Sequence, residues 1–201
     1  MELIDALRGV SWLEAGAVAF GVLYLLLAIR QNILCWLAGL ISSLLSVALL
    51  YEARLYGESA LNIFYAFMSV YGWQQWLAGR SRGNDAELPV RVWPASAHAA
   101  AIGATLAASA VIGWAMSHTR AQFPYVDAWV TVASLVTTYM VAKKVLENWV
   151  YWFVIDGLSA YLALSRGLPL YAALNVFYVV VVVIGFYRWH RDWRAQPALA
   201  T

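Results

Sequence analysis

Cysteine is nearly absent. Cys35 is the only one in the chain, so no intrachain disulfide can form and the redox compartment stays open. Charge is scarce as well: 12% of the 201 residues are Asp, Glu, Lys or Arg, about half the roughly 25% of a soluble domain. A soluble globular protein is thereby excluded. Histidine is limited to His98, His118 and His190, far apart and without a second ligand at metal spacing, so no metal site is expected. No nucleophile–base pair stands out, and neither a catalytic residue nor a cofactor is called for. The formal net charge of +2 says little about partners, and nothing suggests nucleic acid. The N-terminal apolar run is too long for a signal h-region and lacks a clear small-residue cleavage site, so it reads as a retained span.

Apolar and aromatic residues fill the space that charge leaves. The chain is 63% hydrophobic and 15% aromatic, in runs close to the roughly 20 residues that cross a hydrocarbon core. The pattern predicts an all-α polytopic membrane protein, a single transmembrane domain over 1–201 with seven spans. These run about Ser11 to Ile29, Asn32 to Tyr51, Ser59 to Ala78, Pro94 to Met116, Val126 to Ala142, Asn148 to Leu164 and Leu168 to Tyr187. The linker Gly79 to Arg91, with glycines, a proline and mixed charge, is the one loop expected to be mobile. Alternate loops carry unequal basic charge. Arg8, Arg54, Arg120 and Arg166 lie on the side of the N-terminus, and the other nine Lys and Arg residues lie opposite. The positive-inside rule then puts the N-terminus outside and the C-terminus in the cytoplasm.

The two ends of the chain resemble each other. Asn32 falls on Asn148, Trp36 on Trp152 and Ser43 on Ser159 at an offset of 116. Asn62 falls on Asn175, Tyr65 on Tyr178, Gly72 on Gly185 and Trp76 on Trp189 at 113. A shorter connection in the second copy would account for the change of offset. The expected architecture is a 3+1+3 parallel internal repeat: repeat 1 about 11–78, a linker helix about 94–116, and repeat 2 about 124–189. Parallel repeats of this kind are a transporter device, with substrate held between the halves near the midplane.

The stretch Glu147 to Tyr161 is the centre of this reading. On a helix, Asn148, Trp152, Asp156 and Ser159 share one face. An acid in mid-membrane costs roughly 3 kcal/mol on the insertion scale and marks a site by default, although Asp156 could equally bond a Tyr or Trp across the bundle. Trp36, Trp73, Trp149 and Trp152 are candidates for ring contacts with a flat organic cation, weighed against an interfacial belt role. Asn32 and Asn148 are candidates weighed against helix capping. Asn62 and Asn175 lie inside spans, where substrate contact or interhelix bonding is expected. Tyr65, Tyr178 and Gln75 complete the substrate-binding set, Gln75 being preferred over the adjacent Gln74 because it stands three residues from Gly72.

AIRQNILCWLAGLISS, YGWQQW, PYVDAWVTVASLV, KKVLENWVYWFVIDGLS and RGLPLYAALNVFYVVVVVIGFYRW together resemble the PnuC-type vitamin transporters, the nicotinamide riboside transporter family. The resemblance runs from about Trp12 to Trp189. It implies a SWEET-like fold, a homotrimer in the bacterial inner membrane, and facilitated diffusion of a vitamin trapped by a cytoplasmic kinase. Family members take nicotinamide riboside, thiamine or riboflavin. Gln74 stands where the riboside members carry tyrosine, which leaves the choice open. A receptor that binds without transporting would have no need of two equivalent halves.

Overall fold

Helix starts and stops in this chain are written in short polar and conformational signals. Ser11 caps the first helix, its hydroxyl accepting a hydrogen bond from Glu14 N at 3.1 Å. Pro124 and Pro169 open two others at first-turn positions, where the missing N–H costs nothing. Gln31, Arg54, Lys144 and Gly167 adopt positive φ just past helix C-termini. At three of these ends the next residue's N–H reaches back five residues, from Asn32 to Leu27, Val145 to Met140 and Leu168 to Ala163, each at 2.9 Å. This bond closes a Schellman turn and satisfies a carbonyl that the helix leaves open.

The structure is a computed structural model that describes residues 11–54, 56–81, 88–119 and 121–196. Seven α-helices occur among them: α1 (Trp12–Ile29), α2 (Leu34–Glu52), α3 (Tyr56–Ser81), α4 (Ala95–Ser117), α5 (Pro124–Ala142), α6 (Asn148–Ser165) and α7 (Pro169–Ala195). The seven expected spans each fall on one helix. The last runs eight residues past the expected Tyr187, because Arg188 to Arg194 keep helical form beyond the apolar stretch. Helices α1, α2, α4, α5 and most of α7 are long and apolar enough to cross a membrane. Neither α3 nor α6 meets that measure, since they carry Asn62, Gln74 and Gln75, and Asn148 and Asp156.

The chain divides into two compact units, one up to Ala78 and the other from Gly79. In the first, α1 packs along α2, and Ser42 ties them through its hydroxyl to Ala17 O at 2.8 Å. Helix α3 meets α2 where Ser59 Oγ donates to Val47 O at 3.2 Å and where Gly72 lies against the ring of Trp36. In the second, α4 packs on α5, α5 on α6, and α6 on α7. Thr105, Ser109 and Gly113, four residues apart, form the buried stripe of α4, and Gly113 receives Tyr125 of α5. Outward positions such as Leu23, Leu106, Val111, Phe153 and Val176 are apolar, as a hydrocarbon solvent requires.

The linker is a correction in part. Helix α3 extends to Ser81, and 82–87 lie outside the described residues. Residues 88–93, however, are pinned. Arg91 N donates to Lys144 O at 2.9 Å and Arg91 O accepts from Leu146 N at 2.7 Å, a parallel bridge onto the turn between α5 and α6. On its other side the Gln196 side chain, with its amide oriented to match, takes Val90 N at 2.9 Å and Val90 O at 3.1 Å. Trp93 N donates to Glu147 at 3.4 Å. His98 stacks on Tyr151, hydrogen-bonds its hydroxyl at 2.9 Å, and sets its other ring nitrogen 3.6 Å from Glu147. At the opposite end of α6, Arg166 grips both carboxylate oxygens of Asp127 at 2.6 and 2.7 Å.

The two units share local geometry at one constant separation of 113 residues. Gln31 matches Lys144 in positive φ, and Arg54 matches Gly167. The turn bonds match in turn, Cys35 to Asn32 with Asn148 to Val145, and Trp36 to Ile33 with Trp149 to Leu146. Trp36 crosses Trp76 edge-on at 5.5 Å and 87°, and Trp149 crosses Trp189 at 5.4 Å and 85°. The expected pairings at 116 are therefore overturned: Trp149, not Trp152, occupies the place of Trp36, and Asp156, not Ser159, occupies the place of Ser43. No length change separates the copies.

One consequence is testable at a turn. Arg54 holds φ +60 where its counterpart is Gly167 at +72. A non-glycine residue there carries roughly 1 kcal/mol of backbone strain, so Arg54→Gly is expected to raise the thermal midpoint of the detergent-solubilised protein by about 2–4 °C. An unchanged or lowered midpoint in a thermal-shift measurement would refute the strain.

Candidate functional site

The first and second turns of α6 separate two jobs. Trp149 points into its own unit: it is 2% exposed, crosses Trp189, and lies so close to α7 that a Cβ on Gly185 would stand 2.5 Å from its ring. Trp36 is held in the same way by Trp76 and Gly72 and is 1% exposed. Each is a wedge between helices. The indole N–H groups of Trp36 and Trp149 find no acceptor among the described residues. Trp152, one turn further along α6, is half-buried, and Asp156 follows four residues later on the same face.

Asp156 is the one buried acid among the described residues. It is 8% exposed, with no hydrogen bond or ion pair among the described residues. Tyr178 of α7 lies within electrostatic reach of its carboxylate. The ring of Trp152, the carboxylate and the phenol of Tyr178 thus belong to two helices that pack together.

The amides divide by position. Asn32 is exposed and its Oδ1 accepts from Leu34 N at 2.9 Å, a local turn bond. Asn148 is fully buried, its Nδ2 donating to Val145 O at 2.6 Å while Oδ1 is unmatched among the described residues. Asn62 and Asn175 each donate to the carbonyl four residues back, Glu58 at 3.0 Å and Tyr171 at 2.8 Å. Their amide oxygens have no partner among the described residues and can accept from a ligand hydroxyl or a neighbouring helix. On α3, Trp73 and Gln75 are half-buried while Gln74 is exposed, so Gln75 is the inward glutamine of the pair. Tyr65 is half-buried and lies within electrostatic reach of Tyr24 on α1.

Two residues matter that the motif reading did not single out. Tyr24 packs on Gly39, where a Cβ would stand 3.0 Å from its ring. At the corresponding places in the second unit stand Thr137, fully buried with its hydroxyl donating to Ala133 O at 2.7 Å, and Trp152. The aromatic bulk sits on α1 in the first unit and on α6 in the second. Carrying the 113 offset back without a gap from Asn62 and Asn175 would have exposed this exchange in the sequence.

Comparison with known proteins places this geometry. The nicotinamide mononucleotide transporter family model matches residues 11–191. The nicotinamide riboside transporter PnuC of Neisseria mucosa is 28% identical over 89% of this chain and 72% of its own length. The riboflavin/roseoflavin transporter RibM of Streptomyces davaonensis is 26% identical over 92% and 85%. PnuC of Escherichia coli is 24% identical over 87% and 82%. A solved structure, the crystal structure of the vitamin B3 transporter PnuC, superposes with a TM-score of 0.76 over 98% of this chain and 88% of that one, at 23% identity, and so shares the fold. With seven helices among the described residues, five of them apolar enough to span a bilayer, and a family match along nine-tenths of its length, the chain is a multi-pass membrane protein that belongs to the nicotinamide mononucleotide transporter family, the PnuC-type transporters.

Proposed function

We propose that this protein moves a flat, ring-bearing vitamin, nicotinamide riboside first, down its gradient across the bacterial inner membrane. The family match over residues 11–191 carries the reading. The half-buried ring of Trp152, one turn before the Asp156 carboxylate on the same helix face, suits it, since aromatic faces attract a desolvated quaternary nitrogen by about 2 kcal/mol or more. Asn175 and Tyr178 add an amide and a ring for the ribose and carboxamide on the second unit's side, and Asn62, Tyr65, Trp73 and Gln75 are the candidates that the first unit offers. In this reading the N-terminus is outside, the C-terminus cytoplasmic, and the protein is a homotrimer. A cytoplasmic kinase makes uptake one-way by phosphorylating the arriving vitamin.

RibM supports a second reading, riboflavin, because that relative matches 92% of this chain. Thiamine, also a flat cation, is the third. Purified protein in proteoliposomes that hold no kinase is expected to equilibrate labelled nicotinamide riboside without any ion gradient. Faster equilibration of riboflavin or thiamine would reassign the substrate. Movement of none of the three, or accumulation above the outside concentration, would sink facilitated diffusion.

A further inference from the structure

The constant 113-residue offset makes Asp156 of α6 the counterpart of Ser43 of α2, and both are buried. The surroundings differ in a consistent direction. One turn earlier, the first unit has Gly39 covered by Tyr24, whereas the second has Trp152, half-buried, with Thr137 in place of the tyrosine. Tyr65 and Tyr178 are common to both. The first unit thus presents a small residue and a hydroxyl where the second presents an indole and a carboxylate.

A buried carboxylate is costly and is met by a proton or by a bound cation, and Asp156 has no cationic partner among the described residues. We propose that Asp156 is the counter-charge for the ligand, so that this site selects organic cations over neutral molecules of the same shape, and that charge recognition resides in the second unit alone. The inference rests on the transport reading above and narrows it. Nicotinamide riboside and thiamine are cations; riboflavin is neutral. The ring of Trp152 and the carboxylate lie four residues apart on one face, so both can act on one delocalised cation.

The test compares nicotinamide riboside with its reduced dihydro form, which has nearly the same outline and no charge. Binding to the purified wild-type chain is followed by calorimetry in sodium and again in potassium buffer. The cation is expected to bind at least about tenfold more tightly than the neutral form, the scale of one charge-assisted contact. Asp156→Asn should bring the two within about threefold of each other, chiefly by weakening the cation. Asp156→Ser, which installs the residue that the first unit carries at this place, should do the same and serves as the second variant if the first misfolds. Ser43→Ala should leave the preference intact. Equal binding of both forms by the wild type, or an unchanged preference in both Asp156 variants, would overturn the inference while leaving transport standing. A preference that vanishes on exchanging sodium for potassium would show that the carboxylate holds a metal ion and would overturn it too. Failure of the wild type to bind any of the vitamins would instead remove the transport reading on which it rests.

Discussion

Gly185→Ala is expected to lower the thermal midpoint of the detergent-solubilised protein by roughly 10 °C, from an overpacking cost of about 3 kcal/mol. The added Cβ would stand 2.5 Å from the Trp149 ring, and that ring is 2% exposed and already crosses Trp189 edge-on. Gly72→Ala meets Trp36 in the same way and is expected to cost as much. The helix propensity gained by alanine, about 1 kcal/mol, does not offset a clash of that kind. Gly157→Ala is the control, since nothing lies within 4 Å of its Cβ position, and it should hold or gain stability. If clash is the cause, Gly185→Ala combined with Trp149→Leu should lose less than the sum of the two single changes. A midpoint for Gly185→Ala within two degrees of wild type would show that the indole can move after all.

Two tryptophans three residues apart on α6 should respond in opposite ways. Trp149→Ala empties a fully packed position and is expected to cost about 3–5 kcal/mol of stability. Trp152→Ala, at a half-buried position whose counterpart is Gly39, should cost much less stability. Its loss should appear in ligand affinity, roughly thirtyfold for a cationic vitamin if one desolvated cation–π contact of about 2 kcal/mol is removed. Thermal-shift and binding measurements on the same preparations separate the two. Unchanged affinity in a folded Trp152→Ala protein would assign that ring to packing and leave the site without its aromatic face.

The helices were readable from the sequence because bilayer thickness sets their length and proline, serine and glycine set their ends. Ser11, Pro124 and Pro169 mark helix starts through chemistry that needs no tertiary context. The register between the halves was harder. In a chain rich in Trp, Ser and Asn, the coincidences of Asn32 with Asn148 and Trp36 with Trp152 are attractive, yet they sit three residues from the structural correspondence. A shift of three on a helix of 3.6 residues per turn keeps nearly the same face, so face-based reasoning does not detect it. Only contacts with a second helix do, as when Gly72 meets Trp36 and Gly185 meets Trp149. For the same reason the sequence placed Trp36, Trp149 and Trp152 together as candidate ligands, although the first two are enclosed and the third is not. The pinning of Val90 and Arg91 was likewise hidden, because the Gly, Pro and charge that mark a loop do not say whether its backbone finds partners further along the chain.

Because the matched turns and helix contacts keep one register, a position in either copy has its counterpart's residue 113 places away as a substitute already accepted in similar backbone surroundings. Asn148, whose buried amide oxygen goes unmatched among the described residues, has Cys35 as its counterpart, a side chain of similar bulk and far weaker polarity. Engineering this transporter can therefore begin by exchanging residues between its own halves, using one as the reference sequence for the other.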